Sequence, residues 1–216
     1  MAKRPVPPTA TDAEVRTLLE RYLCPVPFHE VRTRCLGNIA TPMLAASPIK
    51  TVEGLWSGKM PEFASIDAAN ELIGALIMGM WNRLTGHQNR NKPFRLYRFD
   101  VAGTREGLAV LALTRRQELD GFVEGLFGAE ESIDLPERAH RGLRVISEMR
   151  ALIAGVHDLA KDEEKAATVA DIEAALRQMQ ELTRIAEHEI HAIVLSCTRA
   201  RRQMLSTLPA KRPTLH

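Results

Sequence analysis

The sequence predicts an all-α protein: an irregular multi-helix bundle of about six to eight helices with a long C-terminal helix. Three observations carry this. Aromatics make up only 5% of the 216 residues while Ala and Leu are abundant, which leaves little β-branched and aromatic stock for a sandwich or barrel. Only 12 prolines and 13 glycines punctuate the chain, few for a fold built on tight turns. Apolar residues recur at helical spacing behind residues that cap helices. An apolar share of 45% and a charged share of 26% are those of a globular chain and argue against disorder.

The elements follow in order. Residues 1–10 are Pro-rich and read as disordered. Thr11-Asp12-Ala13-Glu14 has capping-box spacing, so a helix is expected to about Cys24, where Pro25 and Pro27 stop it. A second helix is expected from Phe28 to about Ala45, with Pro42 kinking or splitting it. Ser47-Pro48 opens a short helix to about Trp56. Ser65 caps a helix with Ile66, Ile73, Leu76, Ile77, Met80, Trp81 and Leu84 as its apolar face, ending at Gly86. Residues 88–103 read as a loop joining sub-lobes 11–87 and 104–205 of one domain. Thr104 caps a helix to Phe127 with Leu119, Phe122, Val123 and Leu126 in one stripe, and Gly128 ends it. Pro136 begins the next helix, which faces inward with Ile146, Met149, Ile153 and Val156. Thr168-Val169-Ala170-Asp171 opens a final helix to about Leu205. Its seam is Ile172, Leu176, Met179, Thr183, Ala186, Ile190, Ile193, Cys197, Ala200 and Met204. At 1.5 Å per residue it would reach roughly 57 Å, longer than a compact domain. It must break, project or pack on a second copy. Residues 206–216 read as a disordered basic tail.

Charge is unevenly placed. The chain totals +2, yet residues 195–216 hold Arg199, Arg201, Arg202, Lys211 and Arg212 and no acid, a pattern that suits an anionic partner or a solvated tail. Three cysteines at unrelated spacings form no disulfide framework. The basic N-terminus has no apolar run behind it, so no signal peptide is expected, and no run is long enough to span a bilayer. A cytoplasmic protein is the expectation.

Motifs with chemistry are sparse. His188-Glu189-Ile190-His191 departs from the zincin pattern, whose histidines stand four apart; at three apart they remain candidate metal ligands without a visible third. Glu137 and His140 match half of a di-iron motif, and no second half exists. His157-Asp158 could be a base with its orienting carboxylate, and no nucleophile elbow accompanies it. Glycine pairs Gly74/Gly79 and Gly121/Gly125 lie inside helical patterns rather than after strands, so they favour close helix packing over phosphate binding. Residues 90–99 interleave Arg90, Lys92, Arg95 and Arg98 with Phe94, Tyr97 and Phe99. That combination suits a single-stranded nucleic acid, with cations for phosphate and rings for bases. It suits equally a connector whose Phe94, Leu96, Tyr97 and Phe99 plug the core.

From Leu55-Trp56 through Gly58 and Pro61-Glu62-Phe63, the sequence resembles the YecA/YgfB-like family of uncharacterised bacterial proteins. An Ala- and acid-rich helix closing on Trp81-Asn82 continues the likeness, and Gly121-Phe122-Val123-Glu124-Gly125-Leu126 resembles a buried-helix segment of that family. The usual Leu-x-Gly-Phe motif is absent, with Cys35-Leu36-Gly37-Asn38 in its place. The Cys-rich zinc tail of some relatives has no counterpart after Cys197, so no metal is carried over. The resemblance implies an all-α, cytosolic, dimeric protein and implies no reaction. It assigns architectural roles to Leu55, Trp56, Gly58, Pro61, Phe63, Trp81, Asn82, Gly121, Phe122 and Gly125.

Three functional expectations result. The first is a non-enzymatic interaction or regulatory protein acting through helix surfaces, on a protein partner or on itself as a homodimer, with no cofactor and no membrane. The second is nucleic-acid binding through Arg90, Lys92, Arg95, Tyr97 and Arg98 with Arg199, Arg201 and Arg202. The third is a metal-dependent or hydrolytic enzyme using His157, His188 and His191.

Overall fold

The computed structural model describes residues 10–207; most of the Pro-rich start and of the basic tail, with Lys211 and Arg212, lies outside them. The architecture is all-α. Helix α1 spans Asp12–Arg21 and opens on the expected capping box, with Thr11 and Glu14 exchanging bonds. Helix α2, Phe28–Ala40, ends earlier than the apolar pattern suggests. Pro42 supplies no N–H and cannot follow a helical residue without a clash, so it stops the helix rather than kinking it. Helix α3, Pro48–Gly54, is capped by Ser47.

Residues 66–88 form one continuous rod of changing pitch. It comprises α4 (Ile66–Ile73), a π-helical stretch (Gly74–Trp81), α5 (Asn82–Thr85) and a 3₁₀ turn (Gly86–Gln88). The expected face is corrected here. Leu72, Ala75, Leu76, Gly79, Met80 and Leu84 are buried, while Ile66 is 81% exposed and Ile73 37% exposed. The buried face keeps three- and four-residue intervals but includes two small residues in place of the two isoleucines. Gly86 therefore does not end the rod; it starts the tightened last turn.

Three long helices complete the fold. Helix α6 (Arg105–Phe127) is capped by Thr104 and ends at Gly128, whose φ of 62° places it in the left-handed region. Helix α7 is Glu137–Lys161 and α8 is Val169–Thr207. Thr168 and Asp171 exchange bonds at the start of α8, which then runs unbroken for 39 residues. Its fully buried residues fall between Met179 and Thr198; Ala175 and Leu176 still pack on the core before them, Ala200 and Arg201 are half-buried after them, and residues 202–207 are exposed. Met204, expected in the seam, is exposed.

A single apolar core runs from Val15 of α1 to Cys197 of α8. Its centre is the crossing of α2 and α6, the most extensive helix pairing in the molecule. The family-like residues sit around this core. Leu55 and Phe122 are fully buried, Trp56 donates its indole N–H to the Tyr22 carbonyl at 2.9 Å, and Phe63 packs edge-on to Tyr22. Pro61 and Trp81 are half-buried. Gly58 takes a positive φ of 84°, and Asn82 donates to the Met78 carbonyl within its own rod. A Cβ on Gly121 would stand 2.8 Å from the Glu30 carbonyl oxygen, and one on Gly125 would collide with the Arg34 carbonyl.

Because backbone rather than a flexible side-chain tip must move, Gly125→Ala is expected to cost about 3 kcal/mol, the upper range of overpacking. Gly155→Ala in α7, where nothing lies within 4 Å, is expected to add up to about 1 kcal/mol through helix propensity. Urea denaturation of the two variants checks both.

Candidate anion-binding groove

The segment after the 3₁₀ turn determines the site. Residues 93–100 form neither helix nor strand, so their backbone groups need other partners. Two buried carboxylates and a buried guanidinium supply them. Glu187 of α8, 2% exposed, accepts the Leu96 N–H at 3.0 Å, Arg95 at 2.7 Å and Arg98 at 2.6 Å. Glu118 of α6, 0% exposed, accepts the Tyr97 N–H at 2.6 Å and Arg115 at 2.5 Å. Arg115 also donates to the Tyr97 carbonyl at 2.8 Å and to the Thr183 hydroxyl at 3.1 Å.

Phe94 and Leu96 point into the core and are buried. Tyr97 stacks with Phe99 and His29, and its hydroxyl accepts from Arg16 at 2.5 Å. The segment is thus a core plug. Arg95 and Arg98 neutralise Glu187, and the rings of Phe94 and Tyr97 already have protein partners.

The plug fixes the turn before it. His87 packs edge-on against Phe94 with centroids 5.2 Å apart, and its Nδ1 lies 2.9 Å from the Lys92 carbonyl oxygen. Asn89 accepts the Asn91 N–H through its side-chain oxygen. Arg90 and Lys92 are thereby held facing α8. There, Leu195, Thr198, Arg199, Arg202, Gln203 and Ser206 share one helix stripe at three- and four-residue intervals. Together with Thr85, Gly86, Gln88 and Asn89 these residues line an open groove of about 800 Å³. Arg90, Lys92, Arg199 and Arg202 are exposed. The lining contains no acid, and no carboxylate among the described residues pairs with any of the four. Thr198 is buried and its hydroxyl has no partner.

Of the eight residues expected to bind an anion, four converge here. The others do not. Arg95, Arg98 and Tyr97 belong to the plug, and Arg201 turns away, donating to the Thr41 carbonyl at 3.2 Å. The polar partners Gln88, Asn89, Gln203 and Ser206 escape a sequence reading that looks for charge alone, although the α8 members recur at helical intervals. Glu118 and Glu187 were also missed; Arg115, Glu118 and Phe122 share the spacing of a buried stripe, and that phase was the available signal.

No group of three or more His, Cys, Asp or Glu side chains among the described residues is placed to hold a metal ion. His188 is exposed, and burial pushes the half-buried His191 imidazole below its usual range. His157 contacts Asp158 at 3.3 Å, but Asp158 is largely exposed. Burial pushes the Cys35 and Cys197 thiols up to about 12, so neither is a thiolate at neutral pH. No helix among the described residues is long and apolar enough to cross a membrane. No family model, no curated protein and no solved structure matches the chain.

Burial pushes the Glu118 carboxyl up to about 7, against the opposing pull of Arg115 and the Tyr97 N–H. The folded chain therefore holds a proton there that the unfolded chain has released, and this group's contribution to stability falls as pH rises from about 4.5 to about 7. Melting temperatures across pH 5–8 should show the wild type losing stability relative to Glu118→Gln.

Proposed function

We propose that the protein is a non-enzymatic interaction protein that binds the phosphate backbone of a nucleic-acid strand in the groove between the 85–92 turn and the end of α8. One observation carries this reading: four exposed cations line one groove whose lining contains no acid. Like charges so gathered repel one another, and an anion relieves that repulsion while releasing its own counterions. The aromatic rings of 94–99 stand outside the lining, so no stacking platform accompanies the cations. Recognition then runs through phosphates and is indifferent to base sequence.

Fluorescence anisotropy with a labelled single-stranded oligonucleotide tests it. Four phosphate contacts give a slope of about −3 for log K against log salt. Arg199→Ala with Arg202→Ala should halve that slope and weaken binding to oligonucleotides of any sequence. Salt-insensitive binding, or binding unchanged in the double variant, rejects the reading.

A second reading concerns α8 itself. At 1.5 Å per residue the helix is about 58 Å long, it is buried only between Met179 and Thr198, and Met204 and Leu205 stand exposed on its overhang. This supports a homodimer joined through the helix end, the assembly that the resemblance to the YecA/YgfB-like family implies. Sedimentation equilibrium should then give twice the chain mass, falling to the monomer in Met204→Glu with Leu205→Glu; a monomer at high concentration ends this reading.

A further inference from the structure

The groove between the 85–92 turn and α8 holds more than cations. Four exposed neutral residues stand among them, Thr85 and Asn89 on the wall formed by the turn and Gln203 and Ser206 on the wall formed by α8. The bonds they already make set what they can still offer. The Thr85 hydroxyl donates to the Asn82 carbonyl at 2.7 Å, and the Ser206 hydroxyl donates to the Gln203 carbonyl at 2.7 Å. A hydroxyl has one proton, so each presents an acceptor oxygen to the groove. Asn89 accepts the Asn91 N–H through its side-chain oxygen at 2.9 Å, which leaves its amide N–H groups to donate. The exposed Gln203 carboxamide offers both kinds of group.

The two acceptor oxygens are the informative ones. Phosphate oxygens accept hydrogen bonds; they suit the cations and the Asn89 amide, and they have no proton to give Thr85 or Ser206. The deoxyribose backbone adds only ester and ring oxygens, which are acceptors too. Ribose adds one O–H per nucleotide, a donor and an acceptor beside the phosphate. That hydroxyl is the backbone group that can donate to Thr85 and Ser206, and it can accept from Asn89 or Gln203 in return. The groove's lining holds no aromatic ring, so it grips no base by stacking, and the sugar is what it can distinguish.

Placement agrees with chemistry. Along α8 the cations Arg199 and Arg202 are followed by Gln203 and Ser206 at helical intervals, and in the turn Asn89 precedes Arg90 and Lys92. Cationic and neutral groups thus adjoin on both walls, as phosphate and 2′-hydroxyl adjoin along a ribose strand. Resting on the reading that this groove holds a nucleic-acid strand, we infer that the strand is RNA, selected over DNA by 2′-hydroxyls that donate to Thr85 and Ser206.

The test is fluorescence anisotropy of the full-length protein with one A/C sequence made as RNA, as DNA and as 2′-fluoro RNA, which keeps the ribose pucker and lacks the O–H. RNA should bind about tenfold more tightly than DNA, the factor expected of one hydrogen bond, and the 2′-fluoro strand should fall to the DNA level. The salt slopes of RNA and DNA should match, because their phosphates are the same. Thr85→Val with Ser206→Ala keeps all four cations and removes hydroxyls that bond only within their own helices. It should lower RNA affinity to that of DNA and leave DNA affinity and the melting temperature unchanged. Equal salt-sensitive binding of RNA and DNA, a 2′-fluoro strand bound as tightly as RNA, or a double variant that weakens RNA and DNA alike overturns the RNA assignment and leaves the phosphate reading standing. Salt-insensitive binding, or no binding, of all three strands overturns both.

Discussion

The structure depends on a buried segment that has no helix or sheet of its own. Residues 93–100 carry Phe94 and Leu96 into the core outside any helix or strand, where backbone groups lack ladder partners. Glu187 and Glu118, from two different helices, accept its N–H groups, and Arg115 closes on the Tyr97 carbonyl. Side-chain charges thus substitute for a neighbouring strand. The arrangement holds together because every buried charge has a partner: Arg115 meets Glu118 inside the protein, while Arg95 and Arg98 reach Glu187 from the surface. A buried pair of this kind contributes little net stability over an apolar equivalent. What it contributes is position. With Leu96 and Tyr97 fixed, Phe94 fills the core, His87 packs on Phe94, and the turn bearing Arg90 and Lys92 has one place to go.

The helices set the rest of the architecture around the groove. The close approach of α2 and α6, permitted by Gly37, Gly121 and Gly125, brings the Arg34–Asn38–Thr41 face against the end of α6. The groove needs α8 to continue past the core. The helix is fully buried only as far as Thr198; beyond it Ala200 and Arg201 are half-buried, and Arg201 ties the helix to the Thr41 carbonyl. The same overhang that leaves Met204 and Leu205 exposed therefore presents Arg199 and Arg202 to the turn.

The fold class was legible because its signals are local. The caps at Thr11, Ser47, Ser65, Thr104 and Thr168 all form, and Gly128 ends its helix in the left-handed region. The buried face was less legible where small residues form part of it. Ala75 and Gly79 are buried in the rod while Ile66 and Ile73 stand exposed, and a count of large apolar residues places the face on the isoleucines. Pro42 lies in an apolar run whose pattern continues past the true helix end; a pattern count sees hydrophobicity, whereas the missing N–H decides. For the site, the cations were visible and their partners were not. Arg90 and Arg95 look alike in sequence. One faces a groove without acids and the other meets a glutamate 92 positions away, and only tertiary structure separates them.

That separation gives the charge distribution its meaning. A formal charge of +2 describes neither the interior nor the groove. Where cations approach the core, carboxylates meet them, because an unpaired charge at low dielectric is untenable. Where cations face water, pairing is optional, and salt bridges there are worth little to stability. Acids are not scarce in this chain, and exposed pairs do form elsewhere, as between Arg21 and Glu71 or Arg184 and Glu181. Against that background, four cations meeting across two distant segments with no acid in their groove are not accounted for by folding. The plug that holds the turn belongs to the fold; the charge it presents to α8 is the part that calls for an anion.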